Sequence, residues 1–125
     1  MDSESIIAIV DDDSRMLESV DDLLASAGYE SRLFNSAESF LAADVIPCLA
    51  CLISDVGLPG MNGCELVATV RAKAPNLPII MITGRETAEL REECICAGAL
   101  ALFAKPFDPA VVLEALRRAI ADSQA

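Results

Sequence analysis

The stretch Cys51-Leu52-Ile53-Ser54-Asp55, running into Val56-Gly57-Leu58-Pro59-Gly60-Met61-Asn62-Gly63, decides the fold. Cys51 to Ser54 form a short uncharged run, Asp55 ends it, and a loop over Val56 to Asn62 with Gly57, Pro59 and Gly60 follows. A run that is apolar without alternation reads as a strand covered on both faces, and such strands belong to parallel sheets. The pattern recurs on either side. Ile6-Ile7-Ala8-Ile9-Val10 is stopped by Asp11-Asp12, and Pro78-Ile79-Ile80-Met81-Ile82 by Thr83-Gly84. Weaker strands read at Glu30 to Phe34 and at Leu100 to Phe103, the last ended by Lys105-Pro106.

Helical patterns fill the intervals. Leu17, Val20, Leu23, Leu24 and Ala27 recur at the spacing of one helix face, with Asp13 or Ser14 as cap and Gly28 as stop. Ser36 caps a short helix through Ala43. A helix from Gly63 to Ala74 stops before Pro75, and one from Glu86 to Ala97 is closed by Gly98. Asp108 caps the last helix, with Pro109 at its first position. Val112, Leu113, Leu116 and Ile120 form its inner face, and Ala121 to Ala125 read as a fraying end or the start of a linker. The chain is therefore a strand–helix unit repeated five times, which predicts a doubly wound α/β domain with right-handed crossovers.

Composition narrows the function. With 20 Asp+Glu against 9 Lys+Arg in 125 residues, the net charge is −11. That excess argues against a nucleic-acid surface on this chain, because phosphate neutralisation needs clustered cations. At 54% hydrophobic residues the chain is no disordered acidic tail. Its longest uncharged apolar run, Cys94 to Ala104, falls well short of the roughly 20 residues that span a bilayer. Met1-Asp2-Ser3-Glu4 lacks the positive flank of a signal peptide, so the chain reads as cytoplasmic, with no membrane contact. The five cysteines are an odd number for a disulfide framework. Cys48-x-x-Cys51 and Cys94-x-Cys96 admit a zinc reading, but no His is present and Cys51 runs into a strand, so buried free thiols are expected.

The chemistry gathers where the strands end. In a parallel sheet every carboxyl end lies on one edge, and ligands bind there, where the strand order reverses. Strand 1 delivers Asp11 and Asp12, strand 3 Asp55, strand 4 Thr83 and strand 5 Lys105. In the order 2-1-3-4-5, strands 1 and 3 are neighbours and the three acids converge. Two such charges ~4 Å apart repel by about 4 kcal/mol at an effective dielectric of 20, so the trio needs a proton, a base or a cation. Hard oxygen donors suit Mg²⁺, with Mn²⁺ as the alternative, and Lys105 can neutralise part of the charge without metal. A single Asp after a strand is ordinarily a turn residue or helix cap. The combination of acids, hydroxyl and amine on four strands is what points to a site.

Four motifs carry a resemblance: Ile9-Val10-Asp11-Asp12-Asp13, Asp55 through Gly63, Ile82-Thr83-Gly84 and Lys105-Pro106-Phe107. Over Ile6 to about Ile120 the chain resembles the receiver domain of bacterial two-component response regulators. It is most similar to the nitrogen-fixation regulator branch, in which a helix-turn-helix output domain follows. The resemblance implies one receiver domain over residues 1–125, a (βα)5 flavodoxin-like fold with a parallel sheet ordered 2-1-3-4-5. It implies that Asp55 accepts a phosphoryl group from the phosphohistidine of a sensor histidine kinase or phosphotransfer domain. Mg²⁺ would be held by Asp12, Asp55 and the backbone carbonyl of Gly57, with Asp11 acting through water. Lys105 and Thr83 would contact the phosphoryl oxygens, and the chain would be no conventional enzyme, promoting only its own phosphorylation and dephosphorylation. Lys105-Pro106 would be cis.

The same resemblance implies a switch. Lys105 and Thr83 drawn toward the phosphoryl group would repack the fourth helix and fifth strand. The face of the fourth helix, fifth strand and fifth helix (α4-β5-α5) would then change for homodimerisation or output, with Leu90, Arg91, Leu102 and Arg117 as contacts. For the two arginines a solvated helix face is the plainer reading. A partner would dock near the first helix, around Met16, and a C-terminal DNA-binding domain would lie outside this chain. The family's aromatic switch ring belongs three residues before the lysine, where this chain has Leu102, and alternation points Phe103 to the other face. Gly57 stands where a larger side chain is common; it either opens the site to water or eases the loop. Three rivals remain. A pseudo-receiver would never carry phosphate. A haloacid-dehalogenase-type phosphatase needs an acid where Gly57 stands. A flavodoxin needs a phosphate cradle where Asp11-Asp12-Asp13 stand.

Overall fold

The computed structural model describes residues 6–85 and 87–124. Five strands alternate with helices: β1 (Ile6–Val10), α1 (Ser14–Ser26), β2 (Glu30–Phe34), α2 (Ala37–Ala42), β3 (Cys51–Asp55) and α3 (Gly63–Lys73), then β4 (Ile79–Thr83), α4 (Ala88–Ala97), β5 (Ala101–Ala104) and α5 (Pro109–Gln124). All pairings are parallel, in the order β2-β1-β3-β4-β5. The expected architecture and strand order are therefore present.

Continuous hydrophobicity has the anticipated cause. Successive residues of a strand face opposite sides, and both sides are covered. Ile7, Ile9, Cys51, Ile53, Ile80 and Ile82 pack with Leu17, Val20 and Leu24 of α1 and Leu116 of α5. Ala8, Val10, Leu52, Ile79 and Met81 pack with Phe40 of α2, Leu66, Val67 and Val70 of α3, and Cys94 of α4. Each fully buried aliphatic side chain contributes about 1.5–3 kcal/mol. The edge strand β2 has no fully buried residue, which explains its weak apolar signal. Phe34 at its end meets Phe40 edge to face, centroids 5.3 Å apart.

Helix ends follow their capping chemistry. The Asp13 side chain accepts from Arg15 N–H at the start of α1, and Ser36 from Ser39 N–H at α2. Asn62 and Glu65 form a reciprocal capping box at α3. Gly28 and Gly98 take φ +91° and +121° after α1 and α4, a conformation that disfavours side chains.

Several expectations shift. The fourth helix starts at Ala88, because the Thr87 hydroxyl accepts from Leu90 N–H and caps it there; Glu86 lies outside the described residues, as do Met1 to Glu4. β4 and β5 each begin and end one residue later than expected, and α3 ends at Lys73. Ala27 is exposed at the C-cap of α1 rather than on its inner face. α5 continues through Gln124, so no frayed segment begins at Ala121. A 3-10 turn at Ile46–Cys48 and a left-handed Asp44 (φ +56°) fill the link before β3. The cysteines are free, but only Cys51 and Cys94 are buried, Cys64 is half-buried, and Cys48 and Cys96 are exposed. Burial pushes the Cys51 thiol up to about 12, so it is an inert core group. Among described residues no helix is long and apolar enough to cross a membrane.

Candidate functional site: an acidic rim closed by a lysine

Three strand ends build the site. β1 and β3 are neighbours, with Val10 opposite Ser54, so the residues that follow them share one edge. Asp11, Asp12 and Asp55 each place a carboxylate oxygen within 4.8 Å of the others. Asp11 and Asp55 are 2% and 8% exposed, whereas Asp12 faces solvent. The Asp11 carboxylate is fixed on two sides. Its Oδ1 accepts from Asp13 N–H at 2.9 Å and its Oδ2 from the Lys105 ammonium at 3.2 Å.

Lys105 reaches across the sheet. Its Nζ lies 3.2 Å from Asp11 Oδ2 and 3.5 Å from Asp55 Oδ1, so one ammonium bridges two sequestered carboxylates. Its backbone N–H donates to Thr83 O at 2.7 Å, and the peptide bond to Pro106 is cis. Burial works against the charged amine, but the fields of Asp55 and Asp11 outweigh it and hold the Lys105 pKa above its ordinary value. Burial raises the Asp11 pKa. The Asp13 N–H bond opposes that rise, the Asp55 charge adds to it, and Lys105 opposes it again, with a raised value as the result. Burial is thus the largest influence on the Asp11 carboxyl, and Lys105 offsets only part of it.

Thr83 closes β4 one residue past Ile82, the register partner of Asp55. It is 4% exposed, and its hydroxyl oxygen accepts from Arg85 N–H at 3.1 Å. Leu102 does not lie on the rim. It is 2% exposed, pairs in register with Met81, and packs in the cluster beneath α2, α3 and α4. Phe103 lies opposite Ile82 and packs on the α1 and α5 side, as alternation requires. Leu102 therefore offers no surface for a partner, which corrects its place among the expected contacts. Arg91 donates to Leu102 O at 3.2 Å, and Arg117 pairs with Glu114 on α5.

The loop after Asp55 is held by residues that the motif reading left aside. Val56 N–H donates to Ile82 O and Gly63 N–H to Val56 O, both at 2.9 Å. Glu38 of α2 accepts from Met61 N–H at 3.1 Å, a link over 23 residues with no local signature. The Asn62–Glu65 box was readable from the spacing of an Asn and a Glu three residues on. Gly63 is required by space, since a Cβ there would meet Asp55 O at 2.6 Å and Val56 Cα at 2.7 Å. Gly57 is not so constrained. It has no positive φ, and a Cβ there would meet nothing within 4 Å.

Three carboxylates and no nitrogen or sulfur donor make a hard-oxygen set suited to a divalent cation such as Mg²⁺. The proximity of the oxygens, not an ion, is what fits them to it.

Comparison with known proteins agrees with this construction. The response regulator receiver domain family matches residues 7–117. The transcriptional regulatory protein FixJ of Bradyrhizobium diazoefficiens is 36% identical over 125 residues, covering 95% of this chain and 60% of its own length. The response regulator protein TmoT of Ectopseudomonas mendocina is 37% identical over 119 residues, covering 95% of this chain and 54% of its own. A CheY-like receiver domain protein from Methanospirillum hungatei superposes with TM-score 0.89 at 31% identity, over 97% of each chain. A beryllofluoride-activated DrrB receiver domain gives TM-score 0.87 at 28% identity, over 94% of this chain and 97% of that one. The chain spans about half to three-fifths of the length of these two curated relatives. The sheet order, the acidic rim and the match over residues 7–117 agree: this chain belongs to the response regulator receiver domain family.

Proposed function

We propose that Asp55 is the phosphoryl acceptor of this receiver domain. The single observation that carries this reading is the Lys105 ammonium bridging Asp11 and Asp55, with three carboxylate oxygens within 4.8 Å. An Asp55 oxygen attacks phosphorus of a phosphohistidine, an O–P bond forms, the N–P bond breaks, and the imidazole leaves. Asp12, Asp55 and the Gly57 carbonyl would hold Mg²⁺, with Asp11 acting through water. When bound, the ion would supply positive charge against the phosphoryl oxygens. Lys105 then exchanges its contact with Asp55 for a phosphoryl oxygen. Thr83 gives up its Arg85 contacts to donate to another. Positioning and charge neutralisation carry such transfers, with little covalent work for the protein.

The donor would be a sensor histidine kinase or phosphotransfer domain. An apolar groove formed by Met16, Leu23, Pro106, Phe107 and Pro109, between α1 and the segment just past Lys105, supports docking there. Residues 1–125 would form the receiver unit of a longer cytoplasmic regulator whose DNA-binding output lies beyond this chain; the printed function of the FixJ relatives and their greater length support this. Phosphorylation would alter the α4-β5-α5 face for homodimerisation or output, with Leu102 repacking beneath it rather than touching the partner. Hydrolysis of the aspartyl phosphate by the chain itself would reset it. The test is intact-protein mass spectrometry after acetyl phosphate with Mg²⁺. The chain should gain one phosphoryl group, and Asp55→Asn or chelation should abolish the gain. An unmodified wild-type chain would leave the pseudo-receiver reading in place.

A further inference from the structure

One pair of side chains plays no part in the phosphoryl site. Cys64, in the first turn of α3, and Cys94, on the inner face of α4, bring their sulfurs to 3.5 Å across 30 residues of sequence. Cys94 is the one residue of α4 that is fully buried, so the contact sits at the seam between the two helices. We propose that Cys64 and Cys94 form a peroxide-oxidisable dithiol whose disulfide locks α4 onto α3.

The order of events follows from access. Cys64 is half-buried and open to a small oxidant, whereas Cys94 is enclosed. Burial, with the neighbouring Cys64 and Glu93 adding to it, pushes the Cys94 thiol up to about 12 and makes it a poor first nucleophile. The Cys64 thiolate attacks one oxygen of hydrogen peroxide, the O–O bond breaks, and Cys64 becomes a sulfenic acid with release of water. Cys94 sulfur then attacks Cys64 sulfur. The S–O bond breaks, the hydroxide leaves as water with the Cys94 proton, and the S–S bond forms. Two thiols and one peroxide give one disulfide and two waters.

Closure has a mechanical consequence. The sulfurs must move from 3.5 Å to the ~2.05 Å of a disulfide, so α4 is drawn toward α3. α3 begins at Gly63, which is packed against Asp55 O, and α4 leads into β5 and Lys105. The bridge therefore ties the helix anchored at the acidic rim to the helix that must repack when Thr83 and Lys105 move. The linkage itself requires no phosphoryl transfer and stands or falls separately from the Asp55 reading.

The experiment treats the reduced wild-type chain, and the same chain with Cys48→Ser and Cys96→Ser, with hydrogen peroxide. Both are then digested without reductant and examined by mass spectrometry. The expected result is a Cys64–Cys94 linked peptide pair, lighter by two hydrogens, lost on dithiothreitol, with a several-fold slowing of amide exchange in α4. In a Cys64→Ser chain, Cys94 should stay reduced under the same dose. The proposal is overturned if Cys64 passes to sulfinic acid while Cys94 remains a thiol, if only disulfides between chains form, or if Cys94 oxidises as fast without Cys64.

Discussion

Replacing Lys105 by Met keeps the length of the stem and removes the charge, so it isolates what the ammonium does. At an effective dielectric of 20, an ammonium 3.2 Å from Asp11 and 3.5 Å from Asp55 attracts each by about 5 kcal/mol. Desolvation of the three groups takes back most of that sum, and Lys105 is 22% exposed, which weakens it further. Breaking one partner out of a buried ion pair costs about 3–5 kcal/mol; with the exposure discounted, about 2–3 kcal/mol is expected for metal-free Lys105→Met at neutral pH. At a urea slope of roughly 1–3 kcal/mol per molar, the unfolding midpoint should fall by roughly 0.7–3 M. Saturating Mg²⁺ should restore most of the loss, because a divalent cation neutralises the same carboxylates. Equilibrium urea unfolding with and without Mg²⁺ reads both quantities. A midpoint drop of equal size in the two conditions would show that the loss does not come from the carboxylates that Mg²⁺ neutralises. No drop in the metal-free protein would refute the electrostatic account.

The pH dependence carries a further sign. Lys105 has a folded pKa above its ordinary 10.5, so its stabilising contribution is complete below that value and is lost as pH rises through the folded one. Metal-free wild type should lose that contribution in alkali, and the gap to Lys105→Met should close there. Asp11 has the same sign in an acidic window. Its folded pKa lies above 3.8, so the folded state binds the extra proton and stability falls as pH rises through that window. Asp11→Asn should remove that slope in urea titrations without metal, and Mg²⁺ should flatten it in the wild type. Gly57→Met should leave the unfolding free energy within about 0.5 kcal/mol, because a Cβ there meets open space and φ is not positive. It should slow loss of the phosphoryl group severalfold in timed mass spectrometry; an unchanged lifetime would count against water access as the role of Gly57. Gly63→Ala should lower stability by about 1–3 kcal/mol, since its Cβ would meet the backbone at Asp55 O and Val56 Cα as well as Met81 Cε, and should slow phosphorylation by shifting Asp55.

The fold was legible because burial on both faces leaves a plain trace. β1, β3 and β4 show runs without alternation because Ile7 and Ala8, or Ile79 and Ile80, pack into different layers. Boundaries were less legible where a side chain competes for a backbone group. Glu86 and Thr87 are equally polar in sequence, and only the Thr87 hydroxyl on Leu90 N–H decides where α4 begins. The turn at Ile46–Cys48 has no periodicity to announce it. Cysteine burial was misread for a related reason. Hydrophobicity assigns all five to the interior, yet Cys48 lies in that turn and Cys96 on the outer face of α4.

The site divides along the same physical line. Asp11, Asp12, Asp55, Thr83 and Lys105 are legible because strand ends in a parallel sheet converge by topology alone, and topology follows from the strand pattern. What topology does not encode is which groups satisfy one another. That Lys105 spans Asp11 and Asp55, while Asp12 stays in solvent, depends on side-chain reach across β3 and β4. That Gly63 cannot carry a Cβ while Gly57 can is a difference of neighbours between two glycines of one loop, identical in composition. Gly57 has room for a Cβ and no positive φ, so neither steric space nor backbone conformation demands glycine there. This asymmetry favours the water-access reading over the loop-easing one, and the lifetime of the Gly57→Met aspartyl phosphate separates them.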